Sequence, residues 1–288
     1  MQRRAAPHLP PIPISPSSIL SARAFLNDLL DDLTAIAVDA GACIMALYEQ
    51  PIAVTQKDDD SPVTAADQAA EDIILERLAH AAPHIPVISE EAAAAGHMPD
   101  IADRFFLVDP LDGTREFIKR NGEFTVNIAL IEDGVATAGI VYAPAKALLY
   151  AGAAGLGAHE SMIDAHGTAS AVGRRPIKTR PAPARGLTAI ASRSHRDAKT
   201  DEFLNHYNVH DIVTAGSSLK FCVVARGDAD IYPRHGRTME WDTAAGHAVL
   251  AAAGGTVTRL DGTPLVYGKT QDGLANPFFI AKGDPSAV

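Results

Sequence analysis

The apolar run Phe105-Phe106-Leu107-Val108 ends in Asp109-Pro110-Leu111-Asp112-Gly113-Thr114, and no other stretch constrains the chain as strongly. The run reads as a short strand, Arg104 to Val108. Proline fixes φ directly after the first aspartate, and Gly113 lets the backbone turn tightly. Such a turn aims two carboxylates and the Leu111 carbonyl at one point. A helix opening near Gly113 or Thr114 would present its N–H groups to a bound phosphate. Taken alone, an Asp before a turn Gly is usually just a turn. Asp261-Gly262-Thr263 repeats the three residues in what reads as an ordinary hairpin.

The neighbouring segments supply the context. Phe25, Leu29, Leu33, Ile36 and Ala40 recur at spacings of three and four, which predicts a helix over about 21–48, ended by Pro51. Lys57 to Pro62 reads as a polar loop. A second helix is expected from about Ala65 to Ala81, with Ile73, Ile74 and Leu78 inward and a capping box of Thr64 and Asp67. Phe124 to Ile131 and Val135 to Tyr142 read as strands joined by the turn Asp133-Gly134, and Lys146 to Tyr150 as a strand that pairs back. Gly152, Gly155 and Gly157 do not open a helix, so they form no dinucleotide-binding fingerprint.

Polar composition from His159 to Arg185 places a domain boundary there, giving domains over 21–165 and 166–288 after a disordered Pro-rich tail over 1–20. Beyond it strands and helices alternate. Strands are expected at Leu187 to Ala191, His210 to Thr214, Asp230 to Tyr232, Thr256 to Arg259 and Phe278 to Ala281. Helices are expected at Lys199 to His206, Ser218 to Ala225 and Thr243 to Ala253. The fold class is α/β (α+β), with helices over an antiparallel sheet first and α/β alternation second.

Three acidic clusters lie at strand ends or helix starts: Glu90-Glu91 after Pro86-Val87-Ile88, Asp109 with Asp112, and Glu240-Trp241-Asp242 before an Ala-rich helix. Such places carry the sites of layered folds. Carboxylates without a Cys or His cluster are hard oxygen donors and imply Mg2+, with Mn2+ or Ca2+ as alternatives, rather than zinc. An EF-hand is excluded, because ligands at alternating positions are missing. Each cluster has a simpler explanation. Asp242 could be a plain N-cap, Asp67 only half of a capping box, and Glu90-Glu91 a solvated pair.

Composition excludes other classes. The 288 residues carry a formal net charge of -10 with no long basic stretch, which argues against a nucleic-acid polymer as partner. No apolar run of membrane-spanning length is uninterrupted, and the start has five prolines and no apolar signal region. Cys43 and Cys222 fit neither a zinc site nor a disulfide framework, so a reducing cytoplasm is expected.

Together the segments SEE (89–91), DPLDGT (109–114) and WDTAAG (241–246) resemble the signatures of the inositol-monophosphatase superfamily, over roughly residues 20 to 285. Residues 107–131, SRSH (192–195), GSSLKFC (216–222) and YPR (232–234) resemble its 3'(2'),5'-bisphosphate nucleotidase branch in particular. The resemblance implies a five-layered α/β/α/β/α sandwich with the site between its halves. It also implies two to three Mg2+ ions. Glu90, Asp109 and the Leu111 carbonyl would hold one, and Asp109, Asp112 and Asp242 a second, with a weaker third near Glu90. Glu91 would orient neighbouring groups, and Thr114 with Asp67 would activate the attacking water.

The expected activity is removal of the 3'-phosphate from adenosine 3',5'-bisphosphate, a small-molecule substrate left by sulfate assimilation, with inhibition by Li+. Lys220, Arg234 and Ser217 would meet the second phosphate, with His195 near the substrate. Gly113 and Thr114 would lie against the reacting phosphate, and Gly216 and Ser218 along the sugar. Tyr232 packs on the base or fills core. Without the resemblance, Lys220 and Arg234 read as surface residues. Some relatives are assigned to the inner membrane face. An inositol or sugar phosphatase of the same fold is the competing reading. A non-catalytic metal- or nucleotide-binding protein would have lost one of these ligands or activators.

Overall fold

The computed structural model describes residues 16–51, 54–56, 62–164, 173–192 and 198–286. The chain opens with α1 (Pro16–Tyr48). The helix starts five residues before the apolar stripe predicts, at a proline, whose missing N–H costs nothing in a first turn. Leu26, Leu29, Leu33, Ile36, Ala40 and Ile44 are buried along it, whereas Phe25 is 39% exposed and faces Arg104 instead of the core. A two-stranded ribbon, β1 (Val54–Gln56) and β2 (Pro62–Thr64), leads into α2 (Ala65–Ala81). The capping box is present, with the Thr64 N–H donating to Asp67 Oδ2 at 2.8 Å.

The first large sheet has seven strands among the described residues: β3 (Val87–Ser89), β4 (Arg104–Asp112), β5 (Thr125–Glu132), β6 (Val135–Ala143), β7 (Leu148–Ala153), β8 (Gly157–Met162) and β9 (Arg175–Ile177). They lie side by side in chain order, β3–β4 parallel and the rest antiparallel. Two short helices, α3 (Glu90–Ala94) and α4 (Thr114–Ile118), follow β3 and β4. Asp133 and Gly134 both take positive φ, 50° and 77°, which matches the hairpin turn that right-twisted strands favour. Polar composition over 159–185 hides β8 and β9. Because β9 pairs with β8, the first sheet continues past residue 166, as far as Ile177.

The second sheet has the order β11 (Val209–Ala215), β10 (Leu187–Ser192), β12 (Ile231–Arg234), β14 (Phe279–Lys282), β13 (Thr256–Arg259). Its first three strands are parallel and the last two pair antiparallel. Its helices are α5 (Ala198–Leu204), α6 (Leu219–Ala225) and α7 (Glu240–Ala252). All the alternating elements expected here are present, within a few residues of the expected bounds.

Strand alternation sorts the core into layers. Phe106, Val108, Val126, Ile128 and Leu130 face α1 and α2. Phe105, Leu107, Ala129 and Ile131 face the opposite way, into one cluster with α6, α7 and Tyr232, Phe279 and Ala281 of the second sheet. On the far face of that sheet Ala189, Ile231 and Ile280 meet Leu204 of α5. The order is therefore α1/α2, first sheet, α6/α7, second sheet, α5: five layers. Glycines let the middle layer sit close. A Cβ on Gly139 would lie 2.6 Å from the Ala245 carbonyl oxygen, and one on Gly246 would lie 2.5 Å from the Phe221 ring. Asp242, at the start of α7, is thereby held between the sheets.

His247 on α7 has its Nδ1 2.9 Å from the Tyr267 hydroxyl, and burial holds its pKa down at about 4. The unfolded chain takes this proton below about pH 6.5 and the folded chain does not. Stability from this group is therefore complete above pH 6.5 and lost as pH falls toward 4, by up to about 3 kcal/mol. His159, held at about 4 by burial and then by Arg174, acts in the same direction. His247→Gln is expected to flatten part of the fall in unfolding free energy between pH 6.5 and 4. An unchanged acid slope in urea titrations would refute this.

Candidate metal centre

Asp109 and Asp112 are three residues apart, which in a regular strand puts them on opposite faces. The expectation of a strand that stops at Val108 is corrected here, because β4 continues through Asp112. Asp109 pairs with Asn127 and Asp112 with Thr125, so three steps on β4 match two on β5. The extra residue is a β-bulge, and it brings both aspartates to the face that looks toward α6 and α7. Pro110, which has no N–H to offer a ladder, falls inside the bulge. Gly113 follows with φ 93°, a left-handed conformation that glycine adopts without strain, and α4 begins at Thr114.

Glu90 enters from the first position of α3 and Asp242 from the third of α7. One carboxylate oxygen from each of Glu90, Asp109 and Asp242 lies within 4.8 Å of the other two. Asp242 is not an N-cap. It is the third residue of the first turn and accepts the N–H of the N-cap residue Met239 at 2.8 Å. Burial, then Glu90, Asp112, Asp242 and Asp67, hold the Asp109 carboxyl well above the usual range. Burial, then Asp112 and Glu90, do the same to Asp242, against the opposing pull of the Met239 N–H and Arg234. Asp112 is raised by burial despite Lys220 and a hydrogen bond from Ser218. Crowded carboxylates of this kind resist joint ionisation unless a cation joins them. An all-oxygen donor set suits Mg2+ or Mn2+.

The Thr114 hydroxyl donates to Asp67 Oδ1 at 3.1 Å and lies 3.4 Å from the Leu111 carbonyl oxygen. Asp67 Oδ2 meanwhile accepts from the Thr64 hydroxyl and N–H, each at 2.8 Å. Asp67 therefore makes two sets of contacts: one oxygen caps α2 and the other accepts from Thr114. Glu91 follows Glu90 on α3. That helix is anchored by Glu71, which accepts the Ala92 N–H at 3.1 Å and the Ser89 hydroxyl. Glu71 escapes sequence reading, its only signal being an acid on the inward face of α2.

A cavity of about 320 Å³ lies over the carboxylates, lined also by Gly113, Thr114, Gly216, Ser217, Lys220, Tyr232 and Arg234. Lys220 is buried. Its amine, held down at about 8 by burial, reaches the Ser217 carbonyl oxygen and lies over the Tyr232 ring. Among the described residues the Arg234 guanidinium donates to the Arg237 carbonyl oxygen at 3.4 Å, and its buried Nε has no hydrogen-bond partner. Tyr232 belongs to the aromatic core, edge-on to Phe221 and Phe279, with one side toward the cavity.

Two serines make hydrogen bonds within the protein. Ser217 Oγ lies 2.8 Å from the Asp112 carbonyl oxygen and 2.7 Å from that of Glu123, so its hydroxyl is engaged by backbone. Ser218 is 1% exposed and lies behind the site, not along the cavity. Gly216 does line the cavity, its N–H held by Glu123 Oε2 at 2.9 Å. His195 lies outside the described residues. Arg115, Glu116 and Arg237 line the cavity without having been expected there.

The inositol monophosphatase family pattern matches residues 27–283. A Shigella flexneri protein named 3'(2'),5'-bisphosphate nucleotidase CysQ is 47% identical over 253 residues, 87% of this chain and 98% of its own. The protein of that name from Escherichia coli (strain K12) is 46% identical with the same coverage. Among solved structures, CysQ from Bacteroides thetaiotaomicron, described as a bacterial member of the inositol monophosphatase family, superposes with a TM-score of 0.72 at 38% identity, covering 88% of this chain and 97% of that one. The inositol monophosphatase from Anabaena sp. PCC 7120 gives 0.70 at 30% identity, covering 90% and 92%. With that match and five layers closing on a carboxylate cluster, the chain belongs to the inositol monophosphatase family.

Proposed function

We propose that this protein is a Mg2+-dependent 3'(2'),5'-bisphosphate nucleotidase that converts adenosine 3',5'-bisphosphate and water into AMP and inorganic phosphate. One observation carries the reading: an all-carboxylate cluster shares a single cavity with Lys220 and Arg234. A monophosphate ester needs the carboxylates, and a bisphosphate uses the two cationic side chains as well. The names of the relatives support the same substrate class.

Glu90, Asp109 and the Leu111 carbonyl would hold one ion, and Asp109, Asp112 and Asp242 a second. A third near Glu90, and Mn2+ in place of Mg2+, belong to the same proposal. When bound, the ions neutralise phosphoryl charge, polarise water and ease departure of the 3'-oxygen. Thr114 donates its proton to Asp67, so its oxygen turns lone pairs outward and can accept a hydrogen bond from the attacking water. Asp67 then takes the relayed proton. The missing Cβ of Gly113 lets the Ser217 hydroxyl pack against the turn, and the Gly113 backbone would lie against the reacting phosphate. Lys220 and Arg234 hold the 5'-phosphate and so orient the 3'-ester for in-line attack, and positioning dominates the rate. Glu91 keeps a supporting role beside Glu90, and His195 one near the substrate.

No helix among the described residues is long and apolar enough to cross a membrane. A cytoplasmic setting is part of the proposal and rests on the two separate thiols. The deciding experiment measures phosphate release from adenosine 3',5'-bisphosphate and from myo-inositol 1-phosphate under identical Mg2+ concentrations. The nucleotide is expected to react at least ~10²-fold faster in kcat/KM, the worth of one well-made charged contact. Faster hydrolysis of the inositol ester would overturn the assignment.

A further inference from the structure

Behind the carboxylates lies a closed polar knot that the ligand set does not include. Asn127 and Ser218 are each 1% exposed. Asn127 stands on β5 opposite Asp109. Ser218 precedes α6, at the junction of the two sheets. Asn127 Nδ2 donates to Ser218 Oγ at 3.0 Å and to Asp112 Oδ2 at a longer 3.4 Å. Ser218 Oγ in turn lies 2.7 Å from the Asp242 carbonyl oxygen and 3.1 Å from Asp112 Oδ2, sharing its one proton between them. The orientation of the amide is decided by its neighbours. Turned over, Asn127 would press its oxygen against the Asp112 carboxylate and leave its NH2 without an acceptor. As placed, Oδ1 is buried with no partner among the described residues. The fold accepts the cost of that orphan oxygen to aim both N–H groups at the knot.

We propose that Asn127 and Ser218 are positioning residues that fix Asp112 of β4 against Asp242 of α7, and so set the affinity of the cation site these two aspartates share. Asp112 comes from the first sheet and Asp242 from the helix layer beyond it, and the serine oxygen contacts both residues directly. Groups that orient ligands in this way typically alter metal affinity by about 10- to 100-fold. The inference rests on the metal-centre reading above.

The test is calorimetric titration of Mg2+ alone into the substrate-free protein, for wild type, Ser218→Ala and Asn127→Leu. Two classes of Mg2+ site are expected in wild type. In both variants one class should weaken about tenfold or more while the class that uses Glu90 stays within about twofold. The KM for Mg2+ in turnover should rise in parallel, with kcat largely recovered at high Mg2+. Ser218→Ala removes a single oxygen, and thermal unfolding without metal reports any loss of fold separately. Asn127→Leu keeps the volume and the serine, so it decides the matter if the alanine variant is unstable. Equal weakening of both classes would assign the knot a merely structural role, and unchanged affinities would refute it. A wild type that binds no Mg2+ would instead remove the metal-centre reading itself.

Discussion

Asp112→Asn is expected to lower turnover at saturating Mg2+ by at least ~10³-fold, the scale of losing one essential charge-stabilising group in an active site. Asparagine keeps the shape of aspartate and can still accept from Ser218, so the second cation site loses charge and not its outline. The fold should not suffer. Burial raises the Asp112 carboxyl, and Asp109 and Asp242 are raised partly by Asp112 itself. Replacing that carboxylate with a neutral amide relieves both neighbours. Thermal unfolding of the metal-free variant should therefore match or slightly exceed that of wild type, while the stabilisation produced by added Mg2+ shrinks. Loss of activity together with loss of fold would leave Asp112 a structural role. Near-normal turnover would end the two-ion reading.

Arg234→Ala should separate substrates rather than abolish chemistry. A guanidinium on a bound phosphate contributes roughly 1.5–3 kcal/mol through charge-assisted hydrogen bonds, or about 10- to 100-fold in KM. In the structure its partners are few: one long bond to the Arg237 carbonyl oxygen and a buried Nε with none among the described residues. The buried Nε is closed to solvent, so the terminal guanidinium nitrogens are the donors a bound phosphate would meet. KM for adenosine 3',5'-bisphosphate should rise by that factor, whereas kcat/KM for adenosine 3'-monophosphate, which lacks the second phosphate, should change less than about threefold, a small fraction of that energy. An equal loss on both substrates would place Arg234 against the reacting phosphate or in the scaffold, and would undo the bisphosphate assignment.

Local signals made most of the fold legible. The capping box at Thr64 and Asp67, the Asp133-Gly134 turn and the β-branched strand after Phe124 depend on neighbours in sequence, and each appears where local chemistry puts it. Strands β8 and β9 were not legible, because a strand stabilised by pairing with β7 needs no strong apolar pattern of its own. Phe25 misleads for a related reason. It completes a helical stripe in sequence, but the residue stays 39% exposed and its ring ends beside Arg104 at the start of β4.

The sequence alone determined which residue types could do the chemistry: Glu90, Asp109, Asp112 and Asp242 at element ends, with Thr114 beside a glycine. It also pointed, through resemblance, to the family and its five layers. Only the tertiary structure decided how these groups meet. A bulge at Pro110 turns Asp109 and Asp112 to one face, and two close-packed glycines bring α7 near enough for Asp242 to join them. It also places Ser218 behind the cavity, hydrogen-bonded to Asn127, Asp112 and the Asp242 carbonyl oxygen. Ligand identity is a property of side chains and can be read in one dimension. The aim of a carboxylate depends on strand register and layer spacing, which are settled only when distant segments pack.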